Sequence, residues 1–187
     1  MKVINTKLKG LHIIEQDAFR DHRGVFIESY NEAKLREQQI DHYFVQDNCS
    51  LSNDVGVVRG LHYQLNPKAQ TKLVYVVSGE IYDVAVDIRR NSPTYGQWVG
   101  VVLNEKNNKQ LLVPKGFAHG YCTLAPNTIV IYKVDEAYSP EHERGIYWND
   151  PTLGINWPVK EPILSKKDQQ APLLEKSENN FIFDYEE

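Results

Sequence analysis

The chain has 187 residues, of which 41% are hydrophobic and 25% are charged, and its formal net charge at pH 7 is −4. This length fits a single domain over residues 1–187 with a sizeable core. The net negative charge disfavours a nucleic-acid partner, because phosphate backbones select strongly basic surfaces. Two cysteines are too few for a disulfide scaffold.

The start of the chain shows no secretion signal. The first residues, MKVINTKLKGLHII, lack a sustained apolar core, and no apolar run reaches the ~20 residues that span a bilayer. We therefore expect a cytoplasmic protein without a membrane partner.

One helix and seven strands are predicted along the chain. The helix covers residues 31–39, NEAKLREQQ, which are rich in helix formers and contain no Gly or Pro. Short segments rich in Val, Ile and Tyr, separated by turn residues, predict strands. In chain order the strands cover residues 25–30, 57–63, 72–79, 80–89, 97–104, 109–114 and 128–134. Many short strands with frequent turns are typical of a β sandwich or barrel, of which the jelly roll is one form.

Segment 80–89 shows the two-residue period of a strand most clearly. One face carries Tyr82, Val84, Val86 and Ile88, and the other carries Ile81, Asp83, Ala85, Asp87 and Arg89. After Trp148 the strand pattern fades into a proline-punctuated tail over about residues 148–187. We expect this tail to wrap the barrel.

Two segments carry histidines in a recognisable pattern. GVVRGLHYQ contains His62, and PKGFAHG has the P-x-G-x-x-H spacing that ends at His119. Taken singly, either histidine fits a hydrogen-bonded core position about as well as a functional one. Together the segments resemble the two cupin motifs, whose histidines face inward from neighbouring strands. We therefore predict a mainly β, cupin-type antiparallel jelly roll with a few short helices.

The metal ligands of a cupin are incomplete in this chain. Metal-binding cupins carry a second histidine two residues after the first, and a glutamate a few residues later. Gln64 stands in place of that histidine, and the following LNPKAQ contains no glutamate. Two histidines fall short of the three protein ligands usual at catalytic zinc or iron sites. The chain also lacks a glycine-rich dinucleotide fingerprint, so we predict activity with no metal and no nicotinamide cofactor.

Six long runs point to a more specific relationship. They are DHRGVFIESY (21–30), QDNCSLS (46–52), VVRGLHYQ (57–64), QTKLVYVVSGEIYDVAVDIRRNSPTYGQWV (70–99), LLVPKGFAHGY (111–121) and YWNDPTLGINWP (147–158). In these runs the chain resembles the dTDP-4-dehydrorhamnose 3,5-epimerases over nearly its full length. The resemblance implies a homodimer that converts a dTDP-sugar, dTDP-4-dehydro-6-deoxy-D-glucose, to dTDP-4-dehydro-L-rhamnose. Protons are removed and returned at C3 and C5, beside the C4 ketone.

The resemblance implies catalytic roles for four residues. His62 matches the base, and neutral imidazoles accept protons near neutral pH. Asp168 matches the carboxylate that fixes the tautomer of this histidine and stabilises its charged form. Lys72 matches the cation beside the C4 oxygen, and Tyr132 matches the proton donor on the opposite face. Without the match, Asp168 would be a solvated carboxylate and Tyr132 a packing residue.

The resemblance also implies a set of ligand contacts. They are Arg23, Glu28, Gln46, Asp47, Asn48, Arg59, Lys72, His119, Tyr138, Glu143 and Lys167. Arginine can bind a diphosphate bidentately, and Tyr138 matches an aromatic position that stacks on thymine. On a regular strand Arg59 and His62 face opposite ways, so both reach the site only if a bulge or bend lies near Gly60.

Three other functions fit parts of the pattern. A 3-only or 5-only epimerase, or a ketoisomerase, on a related dTDP-4-keto sugar would share most of these residues. A non-catalytic sugar-nucleotide binding cupin would be expected to lose the base or the donor, and His62 and Tyr132 are both present. A metal-dependent oxygenase or isomerase is disfavoured by Gln64.

Overall fold

A computed structural model describes residues 1–184, so residues 185–187 of the predicted tail lie outside the described residues. The strands are β1 (Lys2–Asn5), β2 (His12–Glu15), β3 (Ala18–Asp21), β4 (Gly24–Ile27), β5 (Gln46–Ser52), β6 (Val58–Gln64), β7 (Lys72–Ser78), β8 (Glu80–Asp87), β9 (Trp98–Asn104), β10 (Lys109–Val113), β11 (Phe117–Thr123), β12 (Thr128–Val134) and β13 (Glu143–Gly145). The helices are α1 (Glu32–Glu37), α2 (Lys166–Gln169) and a 3₁₀ turn, Leu174–Lys176.

Two antiparallel sheets form a sandwich. The larger has the strand order β1-β2-β10-β7-β12-β5, and the smaller has the order β13-β6-β11-β8-β9. Strands β3 and β4 form a separate hairpin. The predicted fold class, a mainly antiparallel β jelly roll with few short helices, is confirmed.

An apolar core joins the two sheets. Strands β7, β10 and β12 meet β8, β9 and β11 through Val74, Val76, Ile81, Ala85, Leu103, Leu111, Phe117 and Val130. Each fully buried Val, Leu, Ile or Phe side chain contributes about 1.5–3 kcal/mol relative to exposure. Ile81 and Ala85 face this core, as the two-residue period predicts, while Val84 and Val86 face the other side of the small sheet. The core therefore fixes the two sheets relative to each other.

The chain after β13 covers the outer face of the small sheet. Ile146, Leu153 and Ile155 pack there against Val84 and Val86. Further along, Ile163 forms a parallel bridge with Val57, and Ile182 forms one with Arg90. This path brings α2 against β6, which places Asp168 beside His62.

Several predicted boundaries differ from the structure, most clearly those of the helix and of the strand before it. The helix begins at Glu32, because Asn31 is its N-cap and accepts a hydrogen bond from the Lys34 backbone N–H at 3.2 Å. It ends at Glu37, two residues before Gln39, which has a positive φ. The strand predicted over 25–30 ends at Ile27, since the chain then turns towards the helix.

Six strands of the described residues were not predicted from the sequence: β1, β2, β3, β5, β11 and β13. Strand β5 is mostly polar and β11 contains a glycine, so neither has the apolar β-branched pattern that signals a strand. Both line the cavity described next.

Candidate active site

A cavity of about 470 Å³ opens between the two sheets. Strands β5 and β12 form one wall, β6 and β11 form the other, and residues 163–168 complete it. Its polar lining consists of Ser50, Arg59, His62, Lys72, His119, Tyr121, Tyr132, Glu143, Ser165, Lys167 and Asp168. All four predicted catalytic residues therefore meet at one cavity.

His62 and Asp168 form a hydrogen-bonded pair in this cavity. The Nε2 of His62 lies 2.6 Å from Oδ1 of Asp168, which is 4% exposed. Burial would raise the pKa of Asp168, but the hydrogen bond and charge of His62 hold it below its ordinary value. Because an ionised carboxylate only accepts, Nε2 carries the proton and Nδ1 keeps its lone pair. In the neutral form of His62, Nδ1 is therefore the candidate base.

A second histidine–aspartate pair lies beside the first. His119 on β11 pairs with His62 on β6, and its Nε2 lies 2.7 Å from Oδ1 of Asp83. Both side chains are buried. Asp83 was absent from the predicted site, although a signal existed: it shares a strand face with the apolar Ile81 and Ala85. A buried carboxylate needs a partner, and His119 supplies it.

A bulge brings Arg59 and His62 to the same cavity. In the register of β6 with β11, His62 is paired with His119 and Arg59 with Tyr121. Three residues along β6 therefore match two residues along β11, which is a β-bulge. Gly60 lies in the bulge with a φ of 125°, and a Cβ there would lie 2.5 Å from the Cα of the glycine opposite. Only glycine fits this close approach. The irregularity predicted near Gly60 is therefore confirmed.

Lys72 is a buried cation in the cavity. Its Nζ donates to the carbonyl of His62 at 3.4 Å. Burial lowers the pKa of Lys72 from 10.5 to about 8, against the opposing effect of the negative charges of Asp83 and Glu143. A lysine in this state is charged at neutral pH and only weakly solvated, which suits it to stabilise an oxyanion.

Tyr132 stands on the wall opposite His62. It lies on β12 of the large sheet, whereas His62 lies on β6 of the small sheet. Burial raises the pKa of Tyr132, while the charge of Arg59 lowers it and that of Glu143 raises it further. The hydroxyl therefore holds its proton at neutral pH, so a base and an acid flank one space.

The pKa of Lys72 leads to a testable pH dependence. Its ammonium form predominates below the pKa of about 8 and is lost as the pH rises through that value, so kcat/KM is expected to fall there. In Lys72→Arg the alkaline limb is expected to move to much higher pH, because arginine stays protonated to beyond ~12. The check is the kcat/KM profile of both proteins. A limb that stays in place in Lys72→Arg would belong to another group.

Several predicted ligand contacts surround the cavity. Glu143 accepts from the Tyr138 hydroxyl at 2.6 Å and from Lys167 Nζ at 2.5 Å. Gln46 donates to Oδ1 of Asn48 at 2.9 Å and accepts from the backbone N–H of Tyr138 at 3.1 Å. Together with His62, Lys72 and Tyr132, four of these residues, Gln46, Asn48, Tyr138 and Glu143, help to line a smaller chamber of about 80 Å³.

Three predicted contacts lie elsewhere in this chain. Asp47 points to the outer side of β5, where it pairs with Lys133 at 2.9 Å. Arg23 lies in the β3–β4 hairpin with its side chain 79% exposed, paired with Asp21. Glu28 follows the hairpin and binds Lys34. None of the three lines the cavity of its own chain.

Gln64, in the position of the missing metal ligand, joins two loops. Its Nε2 donates to the carbonyls of Lys68 at 2.6 Å and Ala137 at 3.3 Å, and its Oε1 accepts from the Ser139 N–H at 2.8 Å. Within residues 1–184, no group of three or more His, Cys, Asp or Glu side chains is arranged to hold a metal. In the same range no helix is long and apolar enough to cross a membrane.

The sequence profile of the dTDP-4-dehydrorhamnose 3,5-epimerases matches residues 5–176. The chain belongs to this family. A dTDP-4-dehydrorhamnose 3,5-epimerase from Shigella flexneri is 51% identical over 170 residues, which cover 90% of this chain and 93% of the relative. The predicted family, and with it the predicted enzyme class of an isomerase, are confirmed.

Two solved structures share the fold closely. The enzyme of this family from Bacillus anthracis, with TDP and PPi bound, has a TM-score of 0.90 and 56% identity, covering 92% of this chain and 98% of that one. The Legionella pneumophila enzyme, in complex with dTDP-4-keto-L-rhamnose, has a TM-score of 0.89 and 48% identity, covering 94% and 93%.

Proposed function

We propose that the protein epimerises C3 and C5 of dTDP-4-dehydro-6-deoxy-D-glucose, giving dTDP-4-dehydro-L-rhamnose. The observation that carries this proposal is the placement of His62 and Tyr132 on opposite walls of one cavity that also holds the buried Lys72. Inversion beside a ketone requires a base on one face and an acid on the other, and this placement provides both. The family relationship supports the choice of sugar.

The reaction follows from these positions. Nδ1 of His62 removes a proton next to the C4 ketone, and Asp168 stabilises the resulting imidazolium. The negative charge that develops on the C4 oxygen is stabilised by the ammonium group of Lys72. Tyr132 then protonates the carbon from the opposite wall. The ketone re-forms with one centre inverted, and solvent then takes the proton from His62 and restores that of Tyr132. The second carbon likewise loses a proton to His62 and is protonated from the opposite wall.

The nucleotide end of the substrate has matching partners. Tyr138 is 53% exposed and offers a ring face on which a base can stack. Arg59 and Lys167 offer cations for the diphosphate, and Gln46, Asn48, His119 and Glu143 supply further polar contacts. No cofactor has a role in this sequence of steps. We infer a cytoplasmic enzyme, in keeping with a nucleotide-sugar substrate.

The test is incubation of the purified enzyme with dTDP-4-keto-6-deoxyglucose in deuterated water. We expect deuterium at both C3 and C5 with inversion at both centres, read by NMR. Deuterium and inversion at one carbon alone would identify a 3-only or 5-only epimerase. Binding without exchange would identify a non-catalytic sugar-nucleotide protein. Activity that disappears with chelation and returns with one metal would contradict the metal-free mechanism.

A homodimer is part of the proposal. The β3–β4 hairpin exposes Phe19 (65%) and Phe26 (70%), and the outer face of the large sheet exposes Leu51 (57%) and Val77 (50%). Exposed apolar groups of this size favour association with a second copy. Arg23 at the tip of the hairpin does not line its own cavity, and we infer that in the dimer it serves the cavity of the second copy. Sedimentation at micromolar concentration should give a dimer, and a monomer would contradict this.

Mixing of variants tests the shared site directly. We expect Arg23→Ala and His62→Ala each to be impaired as pure dimers. A mixed dimer regains one intact site if Arg23 serves the partner's His62, because both wild-type residues then meet in one cavity. If Arg23 served its own chain, every site in the mixture would keep one defect. Recovery of activity on mixing and refolding distinguishes the two cases.

A further inference from the structure

The proposed mechanism leaves one hydrogen-bonded pair in the cavity unused. Ser50 on β5 and Tyr121 on β11 both line the cavity, and the Ser50 Oγ lies 2.6 Å from the Tyr121 hydroxyl. Tyr121 is 4% exposed, while Ser50 is only partly buried. The two strands belong to different sheets, so the bond crosses the sandwich and ends at a serine that lines the cavity.

Ser50 shares a wall with the proposed proton donor. Strands β5 and β12 are neighbours, with Asn48 opposite Tyr132 and Ser50 opposite Val130. Ser50 and Tyr132 are therefore diagonal neighbours, with Cα atoms ~7–8 Å apart. His62 is on the small sheet. The wall that faces the base thus carries two hydroxyl groups, those of Tyr132 and Ser50.

The reaction has two carbons to protonate from that wall. C3 and C5 lie on either side of C4, so a single rigid donor is aligned with one of them at a time. We propose that the Ser50–Tyr121 pair is the second proton donor, serving one carbon while Tyr132 serves the other. This inference rests on the proposed 3,5-epimerisation and names the residues that protonate the second of the two carbons.

The proton transfer balances without any further reactant. The Ser50 hydroxyl gives its proton to the enolate carbon, whose electron pair forms the new C–H bond as the C4 ketone re-forms. Tyr121 passes its own proton to the Ser50 oxygen along the existing hydrogen bond. After turnover, water returns a proton to the buried Tyr121 phenolate through the Ser50 hydroxyl, and His62 releases to solvent the proton that it removed.

The surroundings of Tyr121 suit this role. Burial raises the pKa of its hydroxyl, so the proton is present at neutral pH, while the hydrogen bond with Ser50 and the charge of Arg59 act in the other direction. The charge of Arg59 also lowers the pKa of Tyr132. One guanidinium therefore stabilises the phenolate form of either donor.

The experiment measures exchange and inversion separately at each carbon, by NMR in deuterated water. In Ser50→Ala and in Tyr121→Phe, His62 still removes and returns protons, so both C3 and C5 should take up deuterium. Inversion should fall by about 10²–10⁴-fold at one carbon, the same one in both variants. Tyr132→Phe should lose inversion at the other carbon. A purely structural role would slow both carbons alike.

Two variants serve as controls. Ser50→Thr keeps a hydroxyl and should restore the second inversion, at least in part. Tyr82→Phe removes another half-buried hydroxyl, away from the cavity, and should keep the wild-type ratio of the two inversions. The inference is overturned if Ser50→Ala or Tyr121→Phe keeps that ratio, slows both inversions equally, or loses exchange while folded. If the wild-type protein inverts neither carbon, the proposed function fails instead.

Discussion

Replacement of His62 by alanine is expected to abolish both deuterium exchange and product formation. Nδ1 of this residue is the proposed acceptor of the first proton. Lys72, whose Nζ is bound to the His62 carbonyl, stays cationic at neutral pH. Tyr132 stays protonated because burial raises its pKa. Loss of a positioned base costs about 10²–10⁴-fold at the least. The measurement is the rate of deuterium uptake at C3 and C5.

Asp168→Asn is the matched control for this variant. It keeps the size of the Asp168 side chain and removes the charge that holds the His62 proton on Nε2. An amide can also donate to Nε2, which favours the opposite tautomer and takes the lone pair from Nδ1. We expect exchange and inversion to fall together but to remain measurable. Exchange at the wild-type rate in His62→Ala would show that another group is the base.

Tyr132→Phe is expected to separate exchange from inversion. The base, its Asp168 partner and the Lys72 ammonium all remain, so proton removal continues and His62 returns a proton to the original face. At the carbon that Tyr132 serves, inversion should fall by about 10²–10⁴-fold, the usual contribution of one positioned acid. The phenyl ring preserves packing in the core around Val74 and Val130.

The same NMR experiment reads both events in this variant. Retained deuterium uptake with lost inversion would support the donor role of Tyr132. If Tyr132→Phe inverts both carbons at the wild-type rate, the donor is another residue. Tyr138, whose hydroxyl binds Glu143, is then the next to replace, although its position suits base stacking.

The sequence predicted the fold well where local signals were strong. Segment 80–89 shows the predicted two-residue period, and its two faces pack into two different cores. The irregularity near Gly60 was also predictable, because Arg59 and His62 could not otherwise share a site. Strand β5 was missed for a physical reason: its inward positions carry polar groups that line a cavity, so the usual apolar alternation is absent.

The candidate site was predicted less completely. His62, Asp168, Lys72 and Tyr132 converge on one cavity as expected, since the family resemblance placed them. Asp83 was missed because its contact with His119 joins positions 36 residues apart, and single-sequence periodicity does not reveal such pairs. The Ser50–Tyr121 bond, between residues 71 apart, is of the same kind.

Gln64 limits how this scaffold can change its chemistry. Its amide donates to two loop carbonyls and accepts one N–H, and the joined loop leads to Tyr138. Histidine at this position would add one metal ligand, but it could not make the same three bonds. The segment that carries Tyr138, the proposed stacking residue for the thymine, would be released at the same time. A Gln64→His substitution would therefore disturb the loop that carries Tyr138, and we expect it to weaken the proposed contact with the nucleotide.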